Sequence, residues 1–455
     1  RYPSSFLASP TGGMAQVRVI NVTRVSPSPS GAARPEPIRL SFLDTLWISF
    51  RPIQRLFFYP TDRPFPSVVG ELRDSLSRTL PRFYSLAGTF TFVPDTGDVV
   101  VTFSGDGDDG VDFLEAEAEG VEFRRLAEEE DHDVGWFSSL VPPVDVQELP
   151  APVLSVQVTR LGGEGVVVGL SVHHAAVDGK ALWQFLEAWA GECRRDAAAG
   201  GPAPVLDRSV ITHPRADEIA RSFARLSAPN LPRLSNASFS FTDPRSLSRR
   251  TFVVGAASIA TLRQRGSGAT SPSAFVALSA HIWLAFLRAK GFPPDDKPTA
   301  LVFLADCRRH LHPPVADGYF GNCVKPCIVQ AKASELLGGV GAGAKAACAA
   351  IRAAIDECLR EPLADCEEWM GKWTALPPLE RVVNVAASPR FLAYEVDFGW
   401  GRPRRVELLS VNKDGEVVMV AARDGDGAVQ VSVALSPPDM DGFASLFLGS
   451  LQQET

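Results

Sequence analysis

The chain has 455 residues, 45% of them hydrophobic and 22% charged, and its 45 basic and 53 acidic residues give a net charge of −8. This composition is typical of a globular protein and excludes a mainly disordered chain. The negative net charge argues against general binding to nucleic acid or anionic lipid, and no apolar run approaches the length of about 18 residues that a membrane span needs. We therefore expect neither a nucleic-acid partner nor a membrane partner.

Seven cysteines occur, all from Cys193 onward, and they show no paired CxxC pattern of the kind that binds zinc. An odd number of cysteines favours free thiols in a reducing compartment over a disulfide framework. Met14 offers a plausible natural start, so residues 1–13 are interpreted as an extension without fold meaning and without a secretory signal. The sequence thus predicts a cytoplasmic protein that has no metal site.

Strand and helix patterns alternate in the first half of the chain. A helix is predicted after Pro66, where five apolar residues recur at helical spacing: Val69, Leu72, Leu76, Leu80 and Phe83. Residues 153–158 and 166–172 predict two strands joined by a turn at Gly162 and Gly163. A further helix is predicted from Gly179, with one apolar face formed by Leu182, Phe185, Leu186 and Trp189.

A long irregular stretch separates the two halves. Residues 196–235 mix small residues, Gly, Pro and polar residues without clear periodicity, which predicts a crossover linker between two domains, residues 14–195 and 236–455. In the second half, Ser271 and Pro272 predict an N-cap followed by proline at the first helical position. Further elements are predicted near residues 342–361 (helix), 299–304, 415–422 and 429–434 (strands). The expected fold class is α/β, with mixed sheet and flanking helices.

One histidine pair is distinguished by its position between a predicted strand and a helix. Because successive strand residues point to opposite faces, only one of His173 and His174 can face a given cleft. Asp178 follows His174 by four positions, which allows it to orient the ring or to brace the loop. An imidazole titrates near neutral pH, yet the pattern alone leaves a catalytic base and a structural pair equally open. His132 follows an acidic run and is predicted to be solvated.

Several motifs resemble those of the plant BAHD acyltransferases. Residues 174–178 match the HxxxD signature of that family, and residues 397–401 match its second signature, DFGWG, in full. Residues 43–47 and 55–59 resemble an N-terminal segment of the branch that acts on anthocyanin and flavonoid glycosides. Residues 319–323 match the YFGNC motif that is typical of the malonyl-transferring members. The resemblance covers nearly the whole chain after residue 13.

This resemblance implies two chloramphenicol-acetyltransferase-like domains with the active site in a channel between them. It implies an acyl-CoA-dependent acyltransferase that acts as a monomer, binds no permanent cofactor and uses a coenzyme A thioester as cosubstrate. The branch motifs imply transfer of malonyl from malonyl-CoA to a sugar hydroxyl of a flavonoid or anthocyanin glucoside. His174 would act as general base in a ternary complex, and no acyl-enzyme is expected.

The resemblance also implies structural roles for other motif residues. Asp178 is expected to turn away from the cleft and to form an ion pair with Arg308, and breaking such a pair, when buried, typically costs about 3–5 kcal/mol. Three residues of the DFGWG motif are expected to form and brace a tight loop: Gly399, Trp400 and Gly401. Asp397 is expected to accept hydrogen bonds from that loop or to assist catalysis indirectly.

The substrate-binding residues are predicted from position and charge. Coenzyme A carries negative phosphates, and the predicted helix start near Ser271 and Ser273 offers free N–H groups. Five arginines lie nearby in the sequence: Arg245, Arg249, Arg250, Arg263 and Arg265. Four residues are assigned to the acyl or acceptor pocket: Lys180, Asn322, Ser388 and Arg390. Among these four, Lys180 and Arg390 are candidates for the malonyl carboxylate, and Ser388 or a nearby backbone N–H is a candidate oxyanion donor.

Three other functions are compatible with the same loop. The enzyme could transfer a hydroxycinnamoyl group or another acyl group from coenzyme A to a hydroxyl or an amine. The HHxxxDG element also resembles that of peptide-synthetase condensation domains, which need carrier-protein partners but lack DFGWG. A non-catalytic binding protein of the same fold would have no need of both His174 and Asp178.

Overall fold

The fold is seen in a computed structural model, and it is described over most of the chain. The described ranges are residues 16–29, 35–104, 108–132, 134–143, 147–162, 164–196, 201–234, 246–268, 270–339, 341–409 and 413–452. Within these ranges, no helix combines the length and the apolar character that a membrane crossing requires.

Strands dominate the described part of the first half. They are β1 (Gln16–Val25), β2 (Ile38–Arg39), β3 (Ile53–Pro60), β4 (Thr89–Val93), β5 (Asp98–Thr102), β6 (Val111–Glu119), β7 (Asp131–His132), β8 (Ala151–Pro152), β9 (Leu154–Leu161) and β10 (Gly165–Val172). The helices are α1 (Phe42–Thr45), α2 (Phe65–Thr79), α3 (Phe123–Glu128), α4 (Val134–Ser139), α5 (Gly179–Arg194) and α6 (Ala216–Ser227).

The second half alternates helices and strands. Its strands are β11 (Ser248–Val254), β12 (Pro298–Asp306), β13 (Val324–Lys332), β14 (Val382–Ala387), β15 (Arg405–Leu408), β16 (Glu416–Ala421) and β17 (Val429–Leu435). Its helices are α7 (Ala256–Arg265), α8 (Ala274–Ala289), α9 (Ala333–Leu337), α10 (Ala342–Arg360), α11 (Trp369–Thr374) and α12 (Pro437–Gln452).

Three sheets organise these strands, and the two larger ones are mixed. The six-stranded sheet has the order β1-β6-β9-β10-β3-β15, the seven-stranded sheet β13-β12-β14-β16-β17-β11-β7, and a small sheet β2-β5-β4-β8. Parallel pairs occur between β6 and β9, between β12 and β14, and between β14 and β16, while the other pairs are antiparallel. The predicted α/β class with mixed sheet and two-domain layout is confirmed.

Strand β10 lies inside the six-stranded sheet, and all of its residues are buried. Burial on both faces explains why residues 166–172 are apolar at every position except Ser171, whose hydroxyl donates a hydrogen bond to the Pro142 carbonyl, and do not alternate with polar residues. Helix α5 follows after a short loop, and its first turn is capped by Asp178, whose side chain accepts a hydrogen bond from the Ala181 N–H. The loop between the two elements is therefore fixed at both ends.

Most predicted elements are present, but three details need correction. Helix α2 ends at Thr79 and does not reach Phe83. Pro81 has no N–H and cannot donate to the carbonyl of Ser77, as the next turn of the helix would require. That carbonyl accepts a hydrogen bond from the Ser28 amide instead. Residues 196–235 are not irregular throughout, since they contain α6, whose apolar face is buried. The N-cap of α8 is Ser273 and not Ser271.

The two halves exchange strands. Strand β15 of the second half pairs with β3 in the six-stranded sheet, and β7 of the first half pairs with β11 in the seven-stranded sheet. His132 in β7 is consequently buried, which corrects the prediction that it is solvated; burial lowers its pKa well below the usual value.

Arg249 of β11 donates hydrogen bonds to Glu407 at 3.1 Å and to the Leu408 carbonyl at 2.9 Å, both in β15.

Glu407→Gln is expected to lower the free energy of unfolding by about 3–5 kcal/mol, because it leaves the buried charge of Arg249 uncompensated between the two sheets. The matched control is Glu395→Gln, which removes an exposed ion pair with Arg402 and should change stability by less than about 1 kcal/mol. Urea unfolding of both variants measures the difference. Equal losses in the two variants would contradict a linking role for the buried pair.

Candidate active site

Residues 173–178, here called the histidine loop, begin where β10 ends. The two histidines face different surroundings, as the strand pattern predicts. His173 is fully buried, packs against Phe90 with 4.5 Å between ring centroids, and accepts a hydrogen bond from the Ala175 amide through Nδ1. His174 points the other way, toward Trp47 and Phe50. The backbone carbonyl of His174 accepts a hydrogen bond from Asn322 of the second half, so His174 lies where the two halves meet.

The imidazole of His174 is stacked on the indole of Trp47. The ring centroids are 4.4 Å apart with an interplanar angle of 12°, and Phe50 approaches edge-on at 6.4 Å. His174 remains partly exposed while its Nδ1 is buried. Burial lowers its pKa to about 4, and the positive charge of Arg55 lowers it as well, against the opposing effects of its own backbone and Asn322. The ring is therefore neutral at pH 7 and able to accept a proton.

Asp178 points away from His174 and forms the predicted ion pair with Arg308. The closest distance between carboxylate and guanidinium is 2.8 Å, and both side chains are almost completely buried. Besides capping α5, the carboxylate accepts a hydrogen bond from the Cys323 amide at 3.0 Å. Arg308 also contacts Asp306 at 3.0 Å. Burying a charge pair is costly unless its remaining donors and acceptors are satisfied, and these contacts largely meet that requirement.

The YFGNC motif, residues 319–323, lies directly behind the histidine loop. Arg308 donates hydrogen bonds to the carbonyls of Tyr319 and Gly321, at 3.2 and 3.1 Å. The Asn322 side chain donates to the backbone carbonyl of His174 at 2.9 Å. Asn322 is fully buried and does not line an open pocket. The motif therefore supports the histidine loop from behind.

Asp44 connects a third chain segment to this arrangement. Its carboxylate accepts hydrogen bonds from the backbone and side-chain amides of Asn322, at 2.9 and 3.1 Å, and from the Ser41 hydroxyl at 2.6 Å. It also pairs with the buried Arg208 at 3.1 Å, and Arg208 in turn donates to the carbonyl of Ala176 in the histidine loop.

Three of these residues received no role from the sequence: Asp44, Trp47 and Arg208. The Ser41-x-x-Asp44 spacing of a capping box was available as a signal, and α1 does carry such a box. Trp47 lies in the segment 43–47 that resembles the family branch, but that resemblance assigned it no role. Arg208 lies in an unpatterned stretch and gave no signal.

Lys180 lies at the start of α5 but is already paired with acidic side chains. Its ammonium contacts Asp317 at 2.8 Å and Asp306 at 3.6 Å, and the side chain is about one third exposed. Hydrogen bonds from Arg309 and Lys180 hold the pKa of Asp317 far below its usual value. The pairing compensates the charge of Lys180, which weakens the reason for placing a malonyl carboxylate there.

Ser388 and Arg390 lie in a turn that follows β14 and packs beside the histidine loop. The Ser388 hydroxyl accepts a hydrogen bond from the Arg390 amide at 3.2 Å. The ring of Phe391, in the same turn, lies 3.2 Å from the position that a Cβ atom would occupy at Gly179, immediately after the loop. The side chain of Arg390 is exposed. The turn thus brings a hydroxyl and a cation to the second-half side of the junction.

The DFGWG loop lies at the opposite end of α5. Asp397 accepts three backbone hydrogen bonds, from Gly399, Trp400 and Gly401, at 2.7 to 3.1 Å. Gly399 and Gly401 have φ of 100° and 90°, a region that favours glycine. Trp189 packs against Phe398; it follows Asp178 by 11 helical residues, which corresponds to about 16 Å at 1.5 Å per residue. The motif is therefore remote from His174.

The candidate coenzyme A residues lie at the N-terminus of α8. Ser273 caps the helix by accepting a hydrogen bond from Val276, and Ser271 and Ser273 are both exposed. Arg263 lies beside them and donates to the Pro272 carbonyl. The other described arginines of the predicted group are engaged elsewhere: Arg249 with Glu407, Arg250 with Asp131 and Asp441, and Arg265 with the Ser450 carbonyl. Arg245 lies outside the described residues.

The sequence model of the transferase family matches residues 15–447. The chain belongs to this family. Phenolic glucoside malonyltransferase 1 of Arabidopsis thaliana is 30% identical, with 96% of this chain and 98% of the relative covered. The malonyl-CoA:anthocyanidin 5-O-glucoside-6''-O-malonyltransferase of the same plant is 30% identical, with 95% and 97% covered. The chain is thus an acyl-CoA-dependent acyltransferase of the BAHD type.

The fold of this acyltransferase matches that of a solved structure. The crystal structure of vinorine synthase superposes with a TM-score of 0.73 at 18% identity, and 95% of this chain and 98% of that chain are covered. The two-domain fold that the HxxxD and DFGWG motifs imply is therefore present over nearly the whole length.

Asp397→Ala is expected to destabilise the acyltransferase by about 2 kcal/mol or more, because three amide N–H groups lose a charged acceptor. Asp397→Asn keeps an acceptor oxygen and should recover part of that loss. In both variants kcat per folded molecule should stay within about threefold of the wild type, measured alongside thermal unfolding. Loss of rate in a fully stable variant would instead indicate that Asp397 assists catalysis.

The acid limb of kcat/KM is expected near pH 4, because burial lowers the pKa of the His174 imidazole to about 4. A limb near pH 6.5 would contradict a base whose pKa is lowered by its partly buried position. Stability must be followed at each pH, since burial also lowers the pKa of His173 to about 3 and that of His281 to about 4.

The unfolded chain binds protons at these histidines below about pH 6.5. In the folded chain His174 and His281 have a pKa of about 4 and His173 a pKa of about 3. The free energy of unfolding therefore falls as the pH is lowered through this window. Brief assays at pH values where thermal unfolding shows a folded enzyme separate the two effects.

Proposed function

We propose that this acyltransferase transfers malonyl from malonyl-CoA to a sugar hydroxyl of a flavonoid or anthocyanin glucoside. The observation that carries the proposal is the neutral, partly exposed imidazole of His174, presented at the junction of the two halves by a fully braced loop. Two relatives at 30% identity are named as glucoside malonyltransferases, which supports the choice of donor and acceptor.

In the proposed mechanism, His174 accepts the proton of the acceptor hydroxyl as its oxygen attacks the thioester carbonyl carbon. An aliphatic hydroxyl is a poor nucleophile at neutral pH, and general-base assistance typically contributes about 10²–10⁴-fold. The tetrahedral intermediate then expels the coenzyme A thiolate, which takes the proton from the imidazolium. The products are the ester and free coenzyme A, and His174 returns to its neutral form without an acyl-enzyme.

Proximity supplies further rate acceleration in the proposed ternary complex, because both substrates are held in one orientation. The hydroxyl of Ser388 accepts the Arg390 amide and keeps its own hydrogen as a donor, which supports a role toward the oxyanion. Asp178 and Arg308 act on this mechanism only by fixing the loop that carries His174.

We place coenzyme A at the N-terminus of α8, against Ser271 and Ser273. Helix N-termini bind phosphate through free N–H groups and the helix dipole, and Arg263 adds a cation beside Pro272. Phe275 in the first turn of α8 packs against Phe303 of β12 at 5.1 Å, and β12 leads directly to Arg308. The proposed phosphate site and the histidine loop therefore share one end of the seven-stranded sheet.

We assign the malonyl carboxylate to Arg390 in preference to Lys180. Arg390 is exposed in a turn beside the histidine loop, whereas the charge of Lys180 is compensated by Asp306 and Asp317.

We further propose that the enzyme acts as a monomer of two domains, residues 14–195 and 236–455, in the cytoplasm. All seven cysteines are free thiols, which supports a reducing compartment.

The proposed function is tested by incubating the enzyme with malonyl-CoA, acetyl-CoA or coumaroyl-CoA and a panel of flavonoid and anthocyanin glucosides, with product masses as readout. We expect malonylated glucosides, and turnover at least 100-fold lower for His174→Ala. Arg390→Ala should raise KM for malonyl-CoA about tenfold or more and leave that for acetyl-CoA nearly unchanged. A coumaroylated product as the major one would overturn the donor assignment, and full turnover by His174→Ala would overturn the mechanism.

A further inference from the structure

One face of the seven-stranded sheet is only partly covered. Alternate side chains of β12, β14 and β16 point into the core beneath α8, α10 and α12, and the side chains between them point to the other face. On that other face, Val418 and Val420 of β16 pack into the core of the first half. Trp373 and Leu376 pack against the cluster that contains Val302 of β12. Part of the face lies between these two covers.

Three residues, here called the open strip, lie in this part: Leu304 of β12 and Asn384 and Ala386 of β14. Leu304 is 41% exposed, and the other two side chains are partly exposed. Val302 pairs with Asn384 in the parallel ladder, which places Leu304 and Ala386, each two residues further along, side by side. The open strip is therefore an uncharged, mainly apolar surface with one amide group.

The open strip ends beside the histidine loop. Asp306, which ends β12 two residues beyond Leu304, contacts Lys180 in the first turn of α5 at 3.6 Å. Two residues correspond to about 7 Å along a strand, a distance that one sugar unit spans. The turn that packs beside the histidine loop begins just beyond Ala386 and the end of β14. A molecule on the open strip therefore has its nearer end about one sugar unit from the start of α5.

The opposite face of the same strand lies next to the proposed coenzyme A site. Phe303 points into the helix-covered core, where it packs against Phe275 in the first turn of α8. Because successive strand residues face opposite sides, Leu304 points away from the N-terminus of α8. The open strip also offers no cation for a phosphate group, and the side chain at its end is the carboxylate of Asp306. It suits an uncharged substrate better than a coenzyme A thioester.

We propose that the open strip binds the aromatic aglycone of the acceptor, with Leu304 as a specificity-determining residue, so that the two substrates reach the histidine loop along opposite faces of one sheet. The inference rests on the proposed function, from which the glucoside acceptor is taken. A flavonoid aglycone is planar and mainly apolar, and its contact with Leu304 removes apolar surface from water. Asn384 donates to Glu416 through Nδ2 at 3.4 Å, which leaves its Oδ1 to accept a phenolic hydroxyl.

The first experiment measures the binding of a free flavonol aglycone, without any acyl donor, by isothermal titration calorimetry. Leu304→Asp should raise Kd about tenfold or more, because a hydrated carboxylate replaces an apolar contact. Leu304→Met keeps an apolar side chain of similar size and should leave Kd within about threefold. Thermal unfolding verifies that each variant is folded.

The matched control is Leu446→Asp, which changes a leucine of α12 that is 39% exposed and should leave Kd for the aglycone unchanged. Equal weakening of binding in Leu304→Asp and Leu446→Asp would overturn the proposal, as would an unchanged Kd in Leu304→Asp.

The second experiment compares a flavonol glucoside with methyl glucoside, which offers sugar hydroxyls without an aromatic aglycone. The preference for the flavonol glucoside is the ratio of the two kcat/KM values, and in Leu304→Asp it should fall about tenfold. KM for malonyl-CoA should stay within about twofold. The free aglycone should compete with the glucoside and not with malonyl-CoA. Competition with malonyl-CoA, or a rise in KM for malonyl-CoA alone, would place the donor on the open strip and overturn the proposal.

The binding measurement separates this inference from the proposed function, since it needs neither turnover nor His174. Full turnover by His174→Ala would overturn the mechanism, and a coumaroylated product would overturn the choice of donor. Neither result changes the Kd expected for the aglycone. Malonylated glucosides from the wild-type enzyme, together with unchanged aglycone binding in Leu304→Asp, would reject only the role of the open strip.

Discussion

The geometry of the active site depends on the buried ion pair between Asp178 and Arg308. It joins a carboxylate at the start of α5 to a guanidinium that follows β12, and so ties the two halves together immediately behind His174. Arg308 also donates hydrogen bonds to two backbone carbonyls of the YFGNC motif, and Asp178 accepts a hydrogen bond from the Cys323 amide. Such a pair is tolerated in the interior because its remaining groups are hydrogen-bonded. The aspartate of the HxxxD signature therefore holds the histidine loop in place and does not contact the imidazole ring of His174.

A second layer of contacts places the imidazole. Asp44 orders Asn322 and Arg208, and these two side chains hold the carbonyls of His174 and Ala176 in the histidine loop. On its other side the ring lies flat on Trp47. The resulting burial keeps His174 neutral at physiological pH, at the expense of basicity. Correct orientation and proximity of the two substrates must then supply much of the catalytic acceleration.

The two halves are also joined far from the chemistry. Strands β7 and β15 each complete the sheet of the other half, and the DFGWG loop of the second half packs on α5 of the first. Tyr59 of β3 donates a hydrogen bond to the Val396 carbonyl at 2.6 Å, beside that loop. Because α5 runs from the DFGWG loop to Asp178, the motif can influence the active site by holding the helix that carries the histidine loop.

The sequence by itself determined the α/β class and the strands and helices around the histidine loop. Local patterns suffice for these, since an apolar run followed by a capped amphipathic helix depends on neighbouring residues alone. The local pattern left the role of His174 open, and the family motifs indicated both His174 as the candidate base and the Asp178–Arg308 pair. Only the tertiary structure decided that Trp47 covers the ring, that Arg208 braces the loop, that Lys180 is already paired and that β7 and β15 change sheets. These contacts join residues far apart in the chain, and no sequence period encodes which distant elements will pack together.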